Sequence, residues 1–174
     1  RSARVLDKSM RRLLLLVLTA VLLTTPAPAH AYVDPTTGKP YATRITRSAD
    51  IPEKNWLPGH RGVDLALNVG DNVLASGGGT VAFEGVVAGT PVVSIDHPDG
   101  IRTTYQPVYA QVKAGERVAE GDVIGRLAPA PRAEHDGLHW GARTGEDTYL
   151  NPLTLLEAPA IRLKPVDGPG YRRS

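Results

Sequence analysis

Between Gly62 and Leu127 no segment keeps a helical period over three turns. Short apolar runs stand there instead: Val63, Leu65 and Leu67, then Val73-Leu74, Val81 and Phe83, Val86-Val87, and Val92, Val93 and Ile95. Turn-forming clusters separate them: Val69-Gly70-Asp71-Asn72, Ser76-Gly77-Gly78-Gly79 and Asp96-His97-Pro98-Asp99-Gly100. Many short strands bounded by glycine-rich turns restrict the chain to an all-β, compact antiparallel sandwich- or barrel-like domain. Leu138-His139-Trp140-Gly141-Ala142-Arg143 reads as a further strand, with His139 and Gly141 on one face and Leu138, Trp140 and Ala142 on the other. One short C-terminal helix is expected after Asn151-Pro152, an N-cap residue followed by a proline at the first helical position. Val69 to Gly77 and Ala114 to Gly121 share a glycine, two polar residues, a valine and a second glycine. That similarity fits either two related hairpin elements or ordinary reuse of turn chemistry.

The start of the chain reads as a targeting segment. Arg11-Arg12 precede the apolar run Leu13 to Leu23, and a proline-containing stretch ends in Ala29-His30-Ala31. A basic region, an apolar region of eleven residues and a small-x-small site describe a secretory signal peptide cut after Ala31, with Arg1 to Ser9 as an upstream extension. The apolar run is too short for a comfortable membrane span, which takes about 20 residues. The expected division is 1–31 leader, 32–55 extended lead-in, 56–157 folded domain and 158–174 loose tail. After cleavage no stable membrane span is expected, and the product is secreted and extracellular.

This division changes the meaning of the charge. Residues 1–31 hold five Arg/Lys and one Asp, so the remaining 143 carry 15 basic against 17 acidic residues. The basic balance of the whole chain belongs to the leader, and no nucleic-acid partner is implied. Cysteine is absent, which excludes disulfides, thiolate metal sites and cysteine nucleophiles.

Within the expected domain, His60 and Asp64 stand four residues apart in Gly59-His60-Arg61-Gly62-Val63-Asp64, just before an apolar run. Imidazole and carboxylate suit Zn²⁺, and a catalytic zinc site keeps three protein ligands with one position open. His139 is read as the third ligand, provided two pieces distant in sequence meet. Each residue taken singly is more often structural than metal-binding. His97, in a Pro-Asp-Gly turn, reads as an exposed loop residue. Trp56 and Trp140 read as packing or groove-wall residues. Arg61 and Arg143 are either solvated surface charge or contacts for a substrate carboxylate.

From about Trp56 to Glu157 the pieces together resemble the lysostaphin/LytM-type zinc metallopeptidases, which cut peptide cross-links in peptidoglycan. The resemblance rests on Gly59 to Asp64, the glycine-rich hairpin Ala75 to Val81, the V-x-x-G-x-x-V-x-x-G-x-x-I-G segment Val112 to Gly125, Leu138-His139-Trp140, and Tyr149-Leu150-Asn151-Pro152-Leu153. It implies the LytM-type β-fold (a duplicated hybrid motif), Zn²⁺ held by His60, Asp64 and His139, and peptidoglycan stem peptides or cross-bridges as partners. Two further family histidines near the metal have no counterpart: Pro107 stands at one position, in Tyr105-Gln106-Pro107, and Gly137 at the other. Assistance by a positioned acid or base is typically worth a factor of about 10² to 10⁴. His135 and the hydroxyl of Tyr105 are the residues that could supply it, with Glu134 a remoter base. The competing expectation is a catalytically impaired family member that binds cell-wall peptide or regulates another hydrolase. A biotinyl- or lipoyl-carrier module is excluded, because neither Ala75-Ser76-Gly77 nor Glu120-Gly121-Asp122 offers the lysine that a cofactor needs.

Overall fold

The computed structural model describes residues 32–130 and 136–157. Among the described residues eleven strands form two antiparallel sheets: β1 (Ile45–Arg47), β2 (Val63–Leu65), β3 (Asn72–Leu74), β4 (Gly79–Val87), β5 (Thr90–Asp96), β6 (Ile101–Gln106), β7 (Val108–Ala110), β8 (Arg117–Val118), β9 (Val123–Leu127), β10 (Leu138–Thr144) and β11 (Thr148–Leu150). The larger sheet runs β1-β2-β10-β6-β5-β4-β8, with β11 also paired to β10; the smaller runs β3-β9-β7. The all-β antiparallel class read from the turn spacing is the fold observed. The C-terminal helix is a single 3₁₀ turn, Pro152–Leu155, where the Asn151 side chain accepts from the backbone N–H of Leu153 at 3.1 Å.

One hydrophobic core joins the two sheets. Val63, Leu65, Ile95, Tyr105, Leu138 and Trp140 of the larger sheet pack in a single cluster with Val73, Val108, Ile124 and Leu127 of the smaller one. Strand periodicity puts these residues inward, and their immediate neighbours therefore face the opposite way. The lead-in contributes as well. Tyr32, Val33 and Asp34 are buried, and β1 adds an edge strand beside β2. Asp34 accepts from Thr36 N–H (2.8 Å) and hydroxyl (2.6 Å) and from Thr43 N–H and hydroxyl (both 3.0 Å), so its buried carboxylate is satisfied on both oxygens.

The internal similarity has a physical content. Asn68 to Asp71 and Lys113 to Glu116 are the same turn: a carbonyl accepts from the N–H three residues on, at 3.0 Å in each case. In both, the fourth residue's carboxylate accepts from the first residue's N–H (3.2 and 2.9 Å), and the third residue is a glycine with φ near +90°. Left-handed backbone there is what selects glycine. Each turn then feeds a strand of two or three residues, β3 or β8, whose valine is buried.

His97 departs from its expected exposure. It is buried, with Nδ1 2.9 Å from the Gly78 carbonyl and Nε2 2.8 Å from the Thr103 hydroxyl. The turn after β5 curls back over the start of β4, and Tyr32 closes it from outside with an edge-on ring contact at 5.0 Å. Its local sequence carries no sign of this, because both the covering residue and the polar partners come from other segments.

Candidate metal centre

The site is assembled by strand register around β10. His139 lies directly opposite Asp64 on β2 and opposite Gln106 on β6, while Trp140 lies opposite Val63 and Tyr105. Cross-strand partners share a face of the sheet. His139 and Asp64 therefore emerge together on the face away from the core, and Trp140, Val63 and Tyr105 emerge together into it. His60 precedes β2 and is held by a two-way backbone bridge to Asp50, with N–H to carbonyl distances of 2.9 and 2.7 Å.

The three side chains converge on one another. His60 Nε2 lies 3.0 Å from Asp64 Oδ1 and 3.0 Å from His139 Nδ1, and the last edge, His139 Nδ1 to Asp64 Oδ1, is 2.9 Å. All three residues are buried. His60 Nδ1 lies 2.8 Å from the Ser48 carbonyl, which can only accept, so that nitrogen carries the proton and Nε2 turns a lone pair toward the other two. A buried carboxylate oxygen and two imidazole nitrogens pointing at one another are mutually repulsive unless a cation or a proton lies among them. Their nearly equilateral triangle is slightly tighter than the edge of about 3.3 Å in a tetrahedron with bonds of about 2.0 Å. The donor set and its shape fit a divalent ion of the zinc type.

Gly62 makes this approach feasible. A Cβ at that position would stand 2.5 Å from the Trp140 carbonyl oxygen and 2.7 Å from His139 Cε1. The glycine between His60 and Asp64 is thus required by the close approach of His139 and Trp140. Ser48 contributes only its carbonyl, which left no sign in the sequence; Gly62 was visible in the motif but its reason was not.

Beside the triangle lies a pocket of about 280 Å³ whose walls include Arg61, Thr104, Gln106, His139, Arg143 and Tyr149. A larger polar pocket of about 430 Å³, around Thr37, Arg44, Asn68 and Asp136, contains none of the three converging residues. Arg61 donates to the backbone carbonyls of Asn55 and Leu57 and sits with its guanidinium carbon 5.7 Å from the Tyr149 ring centroid. These contacts brace the loop before His60 against the β10–β11 turn, where Asn55 Nδ2 also donates to the Asp147 carbonyl at 2.7 Å.

Of the residues named from sequence, His60, Asp64 and His139 are brought together. Tyr105 is not: its side chain is on the core face of β6, fully buried, with the hydroxyl bonded to Ser76 N–H (2.9 Å), Ser76 Oγ (2.6 Å) and Thr103 Oγ1 (2.9 Å). Its phenol is pushed above the usual range chiefly by burial. The assignment of Tyr105 as a catalytic helper is therefore corrected: alternation along β6 sends it to the side of the sheet opposite His139. His135 and Glu134 lie outside the described residues. At Gly137, φ is +94° and a Cβ would stand 2.2 Å from the Leu65 carbonyl oxygen, so this backbone admits no side chain there.

Residues 58–152, more than half of the chain, match the family described as Peptidase family M23. The chain belongs to peptidase family M23. Among relatives of this M23 chain, the uncharacterized protein Rv2891 of Mycobacterium tuberculosis is 47% identical over 155 residues, covering 83% of this chain and 60% of that protein. Stage II sporulation protein Q of Bacillus subtilis is 34% identical over 110 residues, covering 60% of this chain and 38% of that one. The solved structure of the antimicrobial peptidase lysostaphin from Staphylococcus simulans superposes with a TM-score of 0.59 at 20% identity, covering 80% of this chain and 61% of that one; this likeness concerns the fold. The M23 chain thus spans 60% of the length of its mycobacterial relative.

Proposed function

We propose that this M23 chain is an exported zinc endopeptidase that cleaves the peptide cross-links of peptidoglycan. The observation that carries the reading is the triangle of His60, Asp64 and His139 beside an open pocket in an M23 domain. A zinc ion held there would supply a Lewis acid for the scissile carbonyl and acidify a water molecule. The chain's own residues orient the ligands: Ser48 fixes the His60 tautomer, and the register of β2 on β10 fixes Asp64 against His139. Gln106 and Thr104 line the pocket wall along which a peptide would lie. His135 is the proposed acid–base helper. Substituting it with alanine should lower kcat by about 10² to 10⁴ with zinc content unchanged; an unaltered kcat would remove it from the mechanism.

The deciding experiment incubates the full chain, zinc-loaded or chelator-treated, with purified peptidoglycan and identifies released peptides by mass spectrometry. Zinc-dependent release supports the reading, and His60→Ala or Asp64→Asn should abolish it together with zinc retention. Release that survives chelation and His60→Ala would overturn it. Export with cleavage after Ala31 rests on the leader's pattern; the exported protein should then begin at Tyr32 on N-terminal sequencing. A second reading, a wall-binding or regulatory member with little turnover, is favoured by one observation. Apart from the ligand His139, the described residues lining the pocket include neither an imidazole nor a carboxylate. Sedimentation with peptidoglycan without release of peptides would select it.

A further inference from the structure

The pocket beside the triangle holds more positive charge than the fold uses. Arg61 and Arg143 both line it, and among the described residues neither meets a carboxylate. Arg61 donates to the carbonyls of Asn55 and Leu57, and Arg143 donates to the carbonyl of Glu146 at 2.9 Å. Arg102 offers the contrast. It lies directly opposite Arg143 on β6, yet it grips Asp96 with two bonds of 2.5 and 2.7 Å, and that pairing holds the Asp96 carboxyl below its ordinary range. Like charges placed opposite in an antiparallel pair are destabilising. Asp96, in the same cross-strand row, feels the charge of Arg143 from a distance but is already gripped by Arg102, so among the described residues Arg143 has no carboxylate in direct contact.

We propose that Arg61 and Arg143 form a subsite for a substrate carboxylate, so that the preferred substrate is an acidic peptide with a free carboxylate near the bond that is cut. The proposal deepens the peptidase reading and rests on it for the word substrate. A guanidinium has five N–H donors in a planar fork suited to carboxylate, and the backbone bonds of each arginine use only part of that number. Tyr149 keeps the Arg61 guanidinium at the pocket wall by a cation–π contact. His139 and Arg143 share a face of β10 four residues apart, about 13 Å of strand. That spacing places the recognised carboxylate within about four extended residues of the scissile carbonyl. Two sources carry this chemistry: the C-terminal carboxylate of a stem peptide, or an internal one on a side chain.

The test measures binding of stem peptides to the chelator-treated full chain by calorimetry, so that its outcome does not depend on turnover. Four forms are compared: free acid, amidated at the C-terminus, amidated internally, and amidated at both. The free acid should bind about tenfold or more tightly than the doubly amidated form, as expected for a charge-assisted contact. The single amidation that reproduces the loss identifies the carboxylate. Arg143→Gln should bring the ratio near one, while Arg143→Lys should retain part of it. Arg61→Gln gives the second arm, with thermal unfolding to confirm that its loop still folds. Equal affinity for all four forms, no binding of any form, or a preference that survives both glutamine variants would overturn the proposal. The same peptides given to zinc-loaded protein separate the two readings. Preference without cleavage keeps the subsite and removes the peptidase; cleavage without preference does the reverse.

Discussion

At Gly62 the backbone passes so close to Trp140 and His139 that even a methyl group has no room. Gly62→Ala should therefore cost zinc affinity and stability together, by at least about 1 to 3 kcal/mol for the forced displacement. Zinc stoichiometry and urea unfolding of the same sample check it, and a variant with full zinc content and unchanged midpoint would contradict the geometry. Tyr105 carries the opposite expectation. Tyr105→Phe removes a hydroxyl that serves buried Ser76 and Thr103, and should cost about 1 to 3 kcal/mol without affecting zinc retention or kcat. A loss of kcat at full stability would restore it as a catalytic group. Both residues were legible as types and not as roles. Glycine in a motif and tyrosine in a strand say little until the facing strand is known.

Among the elements, β10 and the lead-in, whose Ser48 and Asp50 hold His60, do most to place the site. β10 is central to the larger sheet and carries His139, Arg143 and the core residues Leu138 and Trp140 on alternating faces. That alternation was readable from the sequence, as were the 3₁₀ turn's Asn151 cap and the turns at Gly70 and Gly115, because these are local chemistry. The lead-in was harder to read, since its polarity conceals the buried Asp34. Asp34→Ala leaves four donors without their acceptor, two of them backbone N–H groups, and should destabilise by about 2 to 4 kcal/mol. The check is thermal unfolding alongside zinc content, which should hold at low temperature. An unshifted transition would mean that this segment is not part of the cooperative unit.

The molecule as a whole should respond to metal and to alkali. A ligand bound only by the folded state stabilises by about 4 kcal/mol at a thousand times its Kd. Chelation should accordingly lower the melting temperature of the native chain and leave that of Asp64→Asn unmoved. Alkaline behaviour follows from Tyr32 and Tyr105, whose phenols are held above the usual phenol range, chiefly by burial. A raised folded-state pKa contributes stability that is complete below the unfolded value and lost as pH rises beyond it. Of the six tyrosines, these two should ionise only with unfolding, seen as a late step in the phenolate absorbance that coincides with loss of circular dichroism. A single smooth titration of all six ahead of unfolding would contradict the burial. The strand-and-turn class, the residue types that could hold a metal and the spacing of His60 from Asp64 were legible in the chain, since each follows from short-range periodicity and side-chain chemistry. That His97 is buried, that Tyr105 faces away from the site, and that Arg61 and Arg143 share a pocket with His139 came from the fold. Those outcomes depend on which strands pair and in what register, a choice made by residues as far apart in sequence as His60 and His139.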